Sequence, residues 1–278
     1  MNIAVIGYGK MGKMVEQIAR AQDHRVCAIV DPVAEESFFG SSSRSEASSS
    51  RGAASIYKTI EEADLSRADA AIEFSRPDTA AANIKALAER KIPAVSGTTG
   101  WFEQIDKVSA AVKNTGGSLL WAANFSIGVN MFYRIAWYAA QLANNFPEYD
   151  IGGFEAHHNK KMDSPSGTAK TLAAGVLSRI ERKKKIVWET MNRAPQADEF
   201  HFPSLRIGSV PGIHSLFFDS AADTIEITHT ARSREGFASG AIQAAVWLAS
   251  KAESQKRGRV FTIDDMMQEI FEAAKNSF

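Results

Sequence analysis

The first thirty or so residues constrain the fold more tightly than any other part of the chain. Residues 3–6 form a short apolar run that reads as a buried strand, and Gly7-Tyr8-Gly9-Lys10-Met11-Gly12 follows at once. Met14, Val15, Ile18 and Ala19 then recur at helical spacing. Arg25–Val30 is a second apolar strand and runs into Asp31-Pro32. Strand, glycine turn, helix, strand is the opening of a doubly wound α/β sheet. In G-x-G-x-x-G the first glycine makes a tight turn. The second lets backbone approach a pyrophosphate, and the third lets helix pack close to strand. The helix N-terminus then faces the phosphate with N–H groups and the positive end of its dipole. Asp31 falls close to the ~20-residue spacing of a ribose-binding acid. The turn from Gly7 through Tyr8, Gly9, Lys10 and Met11 to Gly12, with Asp31, is therefore expected to bind a dinucleotide. Asp31 favours NADH, because a carboxylate accepts a ribose hydroxyl and repels a 2′-phosphate. Lys10 could pair with that phosphate, so NADH and NADPH both stay open as cofactors.

The alternation continues. Residues 68–74 read as a strand and 79–89 as a helix after Pro77. Residues 92–95 form a strand leading into Ser96-Gly97-Thr98-Thr99-Gly100, and 119–123 another leading into Asn124-Phe125-Ser126. Ligands of parallel sheets sit beyond the carboxyl ends of the strands, where these small polar segments fall. A serine-rich stretch over 37–55 reads as a surface loop. After about residue 130 the character shifts to an aromatic-rich helix over 131–142. Strand-like runs follow at 150–155, 186–191, 204–210, 215–220 and 224–231. The alternation in Ile225-Glu226-Ile227-Thr228 predicts a mixed or antiparallel sheet with one buried face. A helix is expected over 236–250, and Thr262-Ile263-Asp264-Asp265 reads as a capping box opening the last one. With 278 residues the chain is comfortable as two domains. The expected architecture is α/β. A Rossmann-like, doubly wound parallel sheet occupies 1–125, with the helices of 240–278 returning to it. A central α+β domain with a mixed sheet occupies 126–239 and serves substrate binding and oligomerisation.

The stretch richest in chemistry runs from Glu155-Ala156-His157-His158 through Lys160-Lys161 to Ser164-Pro165-Ser166-Gly167-Thr168. A helix follows, marked by the stripe Ala169, Leu172, Ala173, Val176 and Leu177. Ser166 is a natural N-cap, and Pro165 keeps Ser164 out of the α region. Ser166-Gly167-Thr168 thus place N–H groups and two hydroxyls at a helix N-terminus, an anion site suited to a carboxylate. His157 and Lys161 lie just before it, and both residue types donate protons near neutral pH or bind anions. Successive side chains of a strand alternate faces, so His157 and His158 serve different ends while the strand persists. A structural histidine pair and a solvated lysine pair are the plainer alternatives. No metal is expected, because no acidic or cysteine ligand set accompanies the histidines at a convincing spacing. His201, His214 and His229 read as surface or packing histidines.

Bulk composition removes other classes. The 32 Lys and Arg balance 32 Asp and Glu, so no global field draws in nucleic acid or an anionic membrane. No apolar run approaches a membrane span. Cys27 is the one cysteine and lies in an apolar run, which points to a cytoplasmic location and away from a catalytic thiol.

E-A-H-H-x-x-K-x-D-x-P-S-G-T-A, beginning at Glu155, resembles the signature of the 4-hydroxy-tetrahydrodipicolinate reductase family. G-Y-G-K-M-G at 7–12 resembles that family's nucleotide loop, and Gly97-Thr98-Thr99-Gly100 its loop beside nicotinamide and ribose. The segment from Ala123 to Asn130 resembles its hinge. The resemblance implies His157 as proton donor or acceptor, Lys161 as second donor and substrate ligand, and His158 as substrate ligand. Gly167 and Thr168, behind the Ser166 cap, would grip one substrate carboxylate. Ala122, Ala123, Asn124 and Phe125 would line the cofactor. It further implies a homotetramer assembled through the central sheet and a cofactor domain that swings closed. The implied reaction is hydride delivery to a cyclic, conjugated imine dicarboxylate, giving tetrahydrodipicolinate with loss of water. The nucleotide loop is one residue shorter than the family's common G-x-G-G-R-M-G form, and Lys10 stands where arginine is frequent. Two other readings remain. A two-domain dehydrogenase of another small carboxylate, such as a semialdehyde, would need a nucleophilic cysteine. An NADH-binding sensor without turnover would not need His157 and Lys161.

Overall fold

The computed structural model describes residues 1–34, 54–253 and 258–275. The loop expected over 37–55 therefore lies, apart from its last two residues, outside the described residues. The chain folds as two compact units, Met1–Ser126 with Phe237–Phe278, and Ile127–Gly236.

The first unit begins with β1 (Asn2–Ile6), α1 (Lys10–Ala21), β2 (Arg25–Val30), β3 (Ser55–Tyr57), β4 (Ala70–Glu73) and α2 (Pro77–Glu89). It continues with β5 (Ala94–Ser96), α3 (Ile105–Thr115) and β6 (Ser118–Trp121). The second unit holds α4 (Ile127–Ala143), β7 (Asp150–His157), α5 (Gly167–Leu177), β8 (Lys185–Val187) and β9 (Glu199–His201). After these come β10 (Ser204–Arg206), β11 (Ile213–Asp219) and β12 (Thr224–Thr230). The chain then adds α6 (Glu235–Glu253), β13 (Arg259–Thr262) and α7 (Ile263–Lys275).

Seven parallel strands in the order β13-β6-β5-β4-β1-β2-β3 make the first sheet. Its run β3-β2-β1-β4-β5-β6 is the strand order of dinucleotide-binding sheets. The central strands are apolar without alternation because both faces are covered, and Ile3, Val5, Ile29, Ile72 and Val95 are buried. The second sheet runs β12-β11-β7-β9-β8, with β10 also paired to β7. It is mixed, since β11 is antiparallel to β7 and β12 whereas β9 and β10 run parallel to β7. Helices α4 and α5 bury Phe132, Ala136, Leu172 and Val176 against Ile151, Phe202, Leu216 and Phe218.

Several boundaries differ from the sequence reading. The strand expected over 186–191 shortens to β8, and α3, β9 and β13 were not anticipated. The capping box at α7 forms only in part. Asp265 accepts the Thr262 N–H at 2.7 Å and the Thr262 hydroxyl at 2.8 Å, so that hydroxyl donates instead of accepting from the helix.

Phe202 is fully buried, with the rings of Trp188 and Phe200 edge-on to it. Phe202→Ala is expected to lower unfolding free energy by about 3–5 kcal/mol, the usual cost of truncating a core aromatic. Urea unfolding reads this, and a loss below about 1 kcal/mol would contradict the core assignment.

Candidate active site

In the first unit the loops after β1, β2, β4, β5 and β6 follow the carboxyl ends of parallel neighbours. Gly7 sits at φ +86°, and its N–H donates to the Val30 carbonyl at 2.8 Å. A Cβ on Gly7 would come within 2.4 Å of the Phe74 carbonyl oxygen, and one on Gly12 within 2.1 Å of the Gly7 carbonyl oxygen. A Cβ on Gly9, by contrast, would meet nothing within 4 Å. Gly9 is the N-cap of α1 and offers no side chain to the helix end. Asp31 accepts the Tyr8 N–H at 2.6 Å and the Val33 N–H at 2.9 Å, so the acid after β2 is tied to the glycine turn. The Tyr8 hydroxyl donates to Glu16, which also pairs with Arg20 at 2.7 Å. Burial, reinforced by Glu16, pushes the Tyr8 phenol up. Lys10 is exposed and Met11 half-buried.

The loops after β4 and β5 are joined by the fully buried carboxylate of Glu73. It accepts from Ser96 Oγ at 2.6 Å, Thr98 Oγ1 at 3.0 Å, the Ser75 N–H at 2.9 Å and the Ser75 hydroxyl. Gly97 packs under Phe74, whose ring a Cβ would reach within 2.1 Å. Thr98 is buried and Thr99 exposed. After β6, Ala122 and Phe125 are buried, Ala123 is exposed, and Asn124 accepts the Ser126 N–H at 2.8 Å.

In the second unit β7 ends at His157, which is buried, while His158 just beyond is half-buried. Ser166 caps α5 as expected, its hydroxyl accepting the Ala169 N–H at 3.1 Å. Gly167 and Thr168 open the helix, so its first N–H groups and positive dipole end lie there. Lys161 pairs with Asp163 at 2.7 Å, which holds the Asp163 carboxyl below its ordinary range. Glu155 lies beneath these groups with no exposed surface. Its Oε1 accepts the Ser166 N–H at 2.9 Å, the Ser204 hydroxyl at 2.7 Å and Arg206 Nη2 at 3.2 Å. Its Oε2 faces His157 Nδ1 at 3.3 Å and His214 Nε2 at 3.4 Å. Burial alone would raise the Glu155 carboxyl, yet His214 at ion-pair distance, with hydrogen bonds from Ser166 and Ser204, holds it well below the usual carboxylate range. Burial pushes His157 down to about 4, with Glu155 opposing and His214, Lys161 and Arg206 adding to the fall.

The family model described as dihydrodipicolinate reductase, N-terminus, matches residues 1–125, and that for the C-terminus matches 128–267. The chain belongs to the dihydrodipicolinate reductase family. The 4-hydroxy-tetrahydrodipicolinate reductase of Christiangramia forsetii is 36% identical over 273 residues, covering 98% of this chain and 99% of that one. The enzyme of the same name from Archaeoglobus fulgidus is 34% identical over 275 residues, covering 96% and 100%. Among solved structures, dipicolinate-bound dihydrodipicolinate reductase from Paenisporosarcina sp. TG-14 aligns with TM-score 0.71 at 19% identity, over 94% of this chain and 97% of that one. That likeness speaks to the fold, which is the expected Rossmann-like sheet with a second mixed sheet.

For a dihydrodipicolinate reductase, the residues singled out in the sequence fall into two groups. The turn 7–12, Asp31, Gly97–Thr99 and Ala122–Phe125 follow strand ends of the first unit. His157, His158, Lys161, Ser166, Gly167 and Thr168 gather in the second. Glu73, Ser75, Ser204 and Arg206 were missed, and Glu155 was quoted without a role. His214 corrects the sequence reading. It is a buried partner of Glu155 and His157, placed there because β11 pairs with β7 and sets His214 opposite Glu155. The same pairing undoes the stated reason for expecting no metal. Glu155, His157 and His214 bring one ligand atom each within 4.8 Å of one another. Glu155 Oε1 has three donors, one of them a guanidinium, whereas Oε2 has no hydrogen-bond partner among the described residues.

The two glycine environments make opposite stability predictions. Gly12→Ala is expected to lower the melting temperature by several degrees, through overpacking of about 1–3 kcal/mol. Gly9→Ala is expected to melt with the parent. Thermal unfolding of both variants checks this, and equal melting of the two would contradict the contacts described.

Proposed function

We propose that this chain reduces 4-hydroxy-tetrahydrodipicolinate to tetrahydrodipicolinate with NADH or NADPH, in lysine and diaminopimelate biosynthesis. The observation carrying this reading is the gathering of His157, Lys161 and the α5 N-terminus in one unit of a reductase-family chain. The balanced reaction consumes one reduced cofactor and one proton, and releases one water and the oxidised cofactor.

The first unit suits a dinucleotide. The open Gly9 position at the start of α1 leaves room for backbone to approach a pyrophosphate, and Gly7 through Gly12 would hold it. Asp31, fixed by two backbone N–H groups, would take the ribose. A carboxylate held there favours NADH, while exposed Lys10 suits the 2′-phosphate of NADPH. Gly97, Thr98, Thr99 and Ala122 to Phe125 would face the nicotinamide end. Bound NADH or NADPH supplies the hydride.

In the second unit Gly167 and Thr168, with the Ser166 cap, bind one substrate carboxylate at the positive end of α5. His158 and Lys161 serve the dicarboxylate as further donors. Hydride addition leaves an electron-rich nitrogen or carbon, and His157 or Lys161 gives it a proton. Burial of His157 limits water at that step. Cys27 does not suit the semialdehyde chemistry that needs a thiolate. It is half-buried against the Ile3 carbonyl, and burial pushes its thiol up. A homotetramer and a cytoplasmic location complete the proposal. Exposed Ile225 on the edge strand β12 supports assembly through the second sheet.

The test is NADH or NADPH oxidation followed by absorbance, with substrate freshly condensed from pyruvate and aspartate semialdehyde. Substrate-dependent oxidation is expected, and its absence with both cofactors, from folded protein that binds NADH, would overturn the proposal. His157→Gln and Lys161→Ala are each expected to lower kcat by about 10²–10⁴, the usual worth of a general acid, with NADH affinity nearly intact. Asp31→Ala is expected to weaken NADH more than NADPH in binding titrations, and equal weakening would remove the ribose role.

A further inference from the structure

We infer that Glu155 is a positioning residue that fixes His157 with Nδ1–H toward its own carboxylate, so that Nε2 carries the transferable proton. This rests on the reductase reading above for the identity of the proton acceptor.

An ionised carboxylate only accepts hydrogen bonds. Glu155 Oε1 is already engaged by Ser166, Ser204 and Arg206, leaving Oε2 for the two imidazoles. A ring nitrogen facing that oxygen must therefore bear hydrogen. Neutral imidazole has one N–H, so placing it on Nδ1 puts the lone pair of His157 on Nε2. Nδ1 is buried with no other partner. Nε2 lies beside Gly212, where a Cβ would come within 3.1 Å. Glycine at that position keeps the approach to Nε2 clear. At 3.3 Å, His157 Nδ1 and Glu155 Oε2 stand at ion-pair distance without an aligned hydrogen bond.

The same carboxylate accepts the Ser166 N–H, so one residue sets both the ring and the cap of the anion-binding helix. His214 Nε2 lies 3.3 Å from Ser166 Oγ and closes the circuit. In turnover, the Nε2–H bond of imidazolium breaks, the proton passes to the electron-rich atom left by hydride addition, and the ring returns to its Nδ1–H form. A solvent proton then reloads Nε2. The charged and titratable groups around His157 are Glu155 on β7, His214 on β11, Arg206 on β10 and Lys161 in the loop after β7. Only Glu155 favours the imidazolium. Its removal therefore lowers the pH at which His157 can hold a proton.

Glu155→Gln keeps the shape and removes the charge. The expected result is a fall in kcat at neutral pH with the KM for NADH unchanged. The decline of kcat with rising pH should also move to lower pH. Each pKa unit of that move corresponds to about a tenfold loss of the protonated form. A merely structural carboxylate would lower the melting temperature and leave the pH profile in place, and that outcome would overturn the inference. If Glu155→Gln does not fold, the parent decides through ¹⁵N NMR of its labelled histidine rings. Neutral His157 bearing hydrogen on Nδ1 supports the inference, and hydrogen on Nε2 overturns it. Failure of the parent to oxidise NADH with substrate would sink the reductase reading alone, since the tautomer is read without turnover.

Discussion

Removing an ionised carboxylate from water costs on the order of several kcal/mol unless donors replace the lost hydration. Much of the second unit is arranged to meet that demand at Glu155. Its donors come from the cap of α5, from β10 and from β11, and register brings them together. Ser204 pairs with Glu155 along β10 and β7, and Arg206 with His157. His214 stands opposite Glu155 across β11 and β7. A slip of one residue in either pairing would turn these side chains to the other face and leave the charge without partners. The buried charge thus demands the register that assembles the site.

Glu73 plays a comparable part within the first unit. It too is fully buried at the end of a strand, but hydroxyls and one backbone N–H satisfy it. Those donors are Ser75 after β4, Ser96 at the end of β5 and Thr98 just beyond it, so the carboxylate fixes two strand ends and their loops to one another. Asp31 does the same across β1 and β2 by accepting the Tyr8 N–H. Asp31, a candidate ribose contact in the sequence, is thus also an internal strut of the loops around it.

Local features of this molecule were legible in the sequence. The glycine turn, the acid after β2, the Ser166 cap and the apolar stripe of α5 each depend on neighbours a few residues apart. The parallel sheet followed from apolar strands alternating with helices. Short pieces were less visible. β9 and β13 owe their conformation to the strands beside them, β7 and β8 for one and β6 for the other. The role of His214 was hidden because strand register is a long-range property that no spacing encodes. Arg206 and Ser204 were hidden for the same reason. The one signal that could have raised Glu155 was its place two residues before His157, on the same face of a strand.

Cocrystallisation with NADH and dipicolinate, a planar dicarboxylate, is the sharpest test of this arrangement. One carboxylate should rest on the N-terminus of α5 at Gly167 and Thr168, behind the Ser166 cap. His157 should keep Nδ1 on Glu155 and turn Nε2 toward the ligand. A dicarboxylate bound away from α5, or a His157 ring turned with Nδ1 outward, would contradict it.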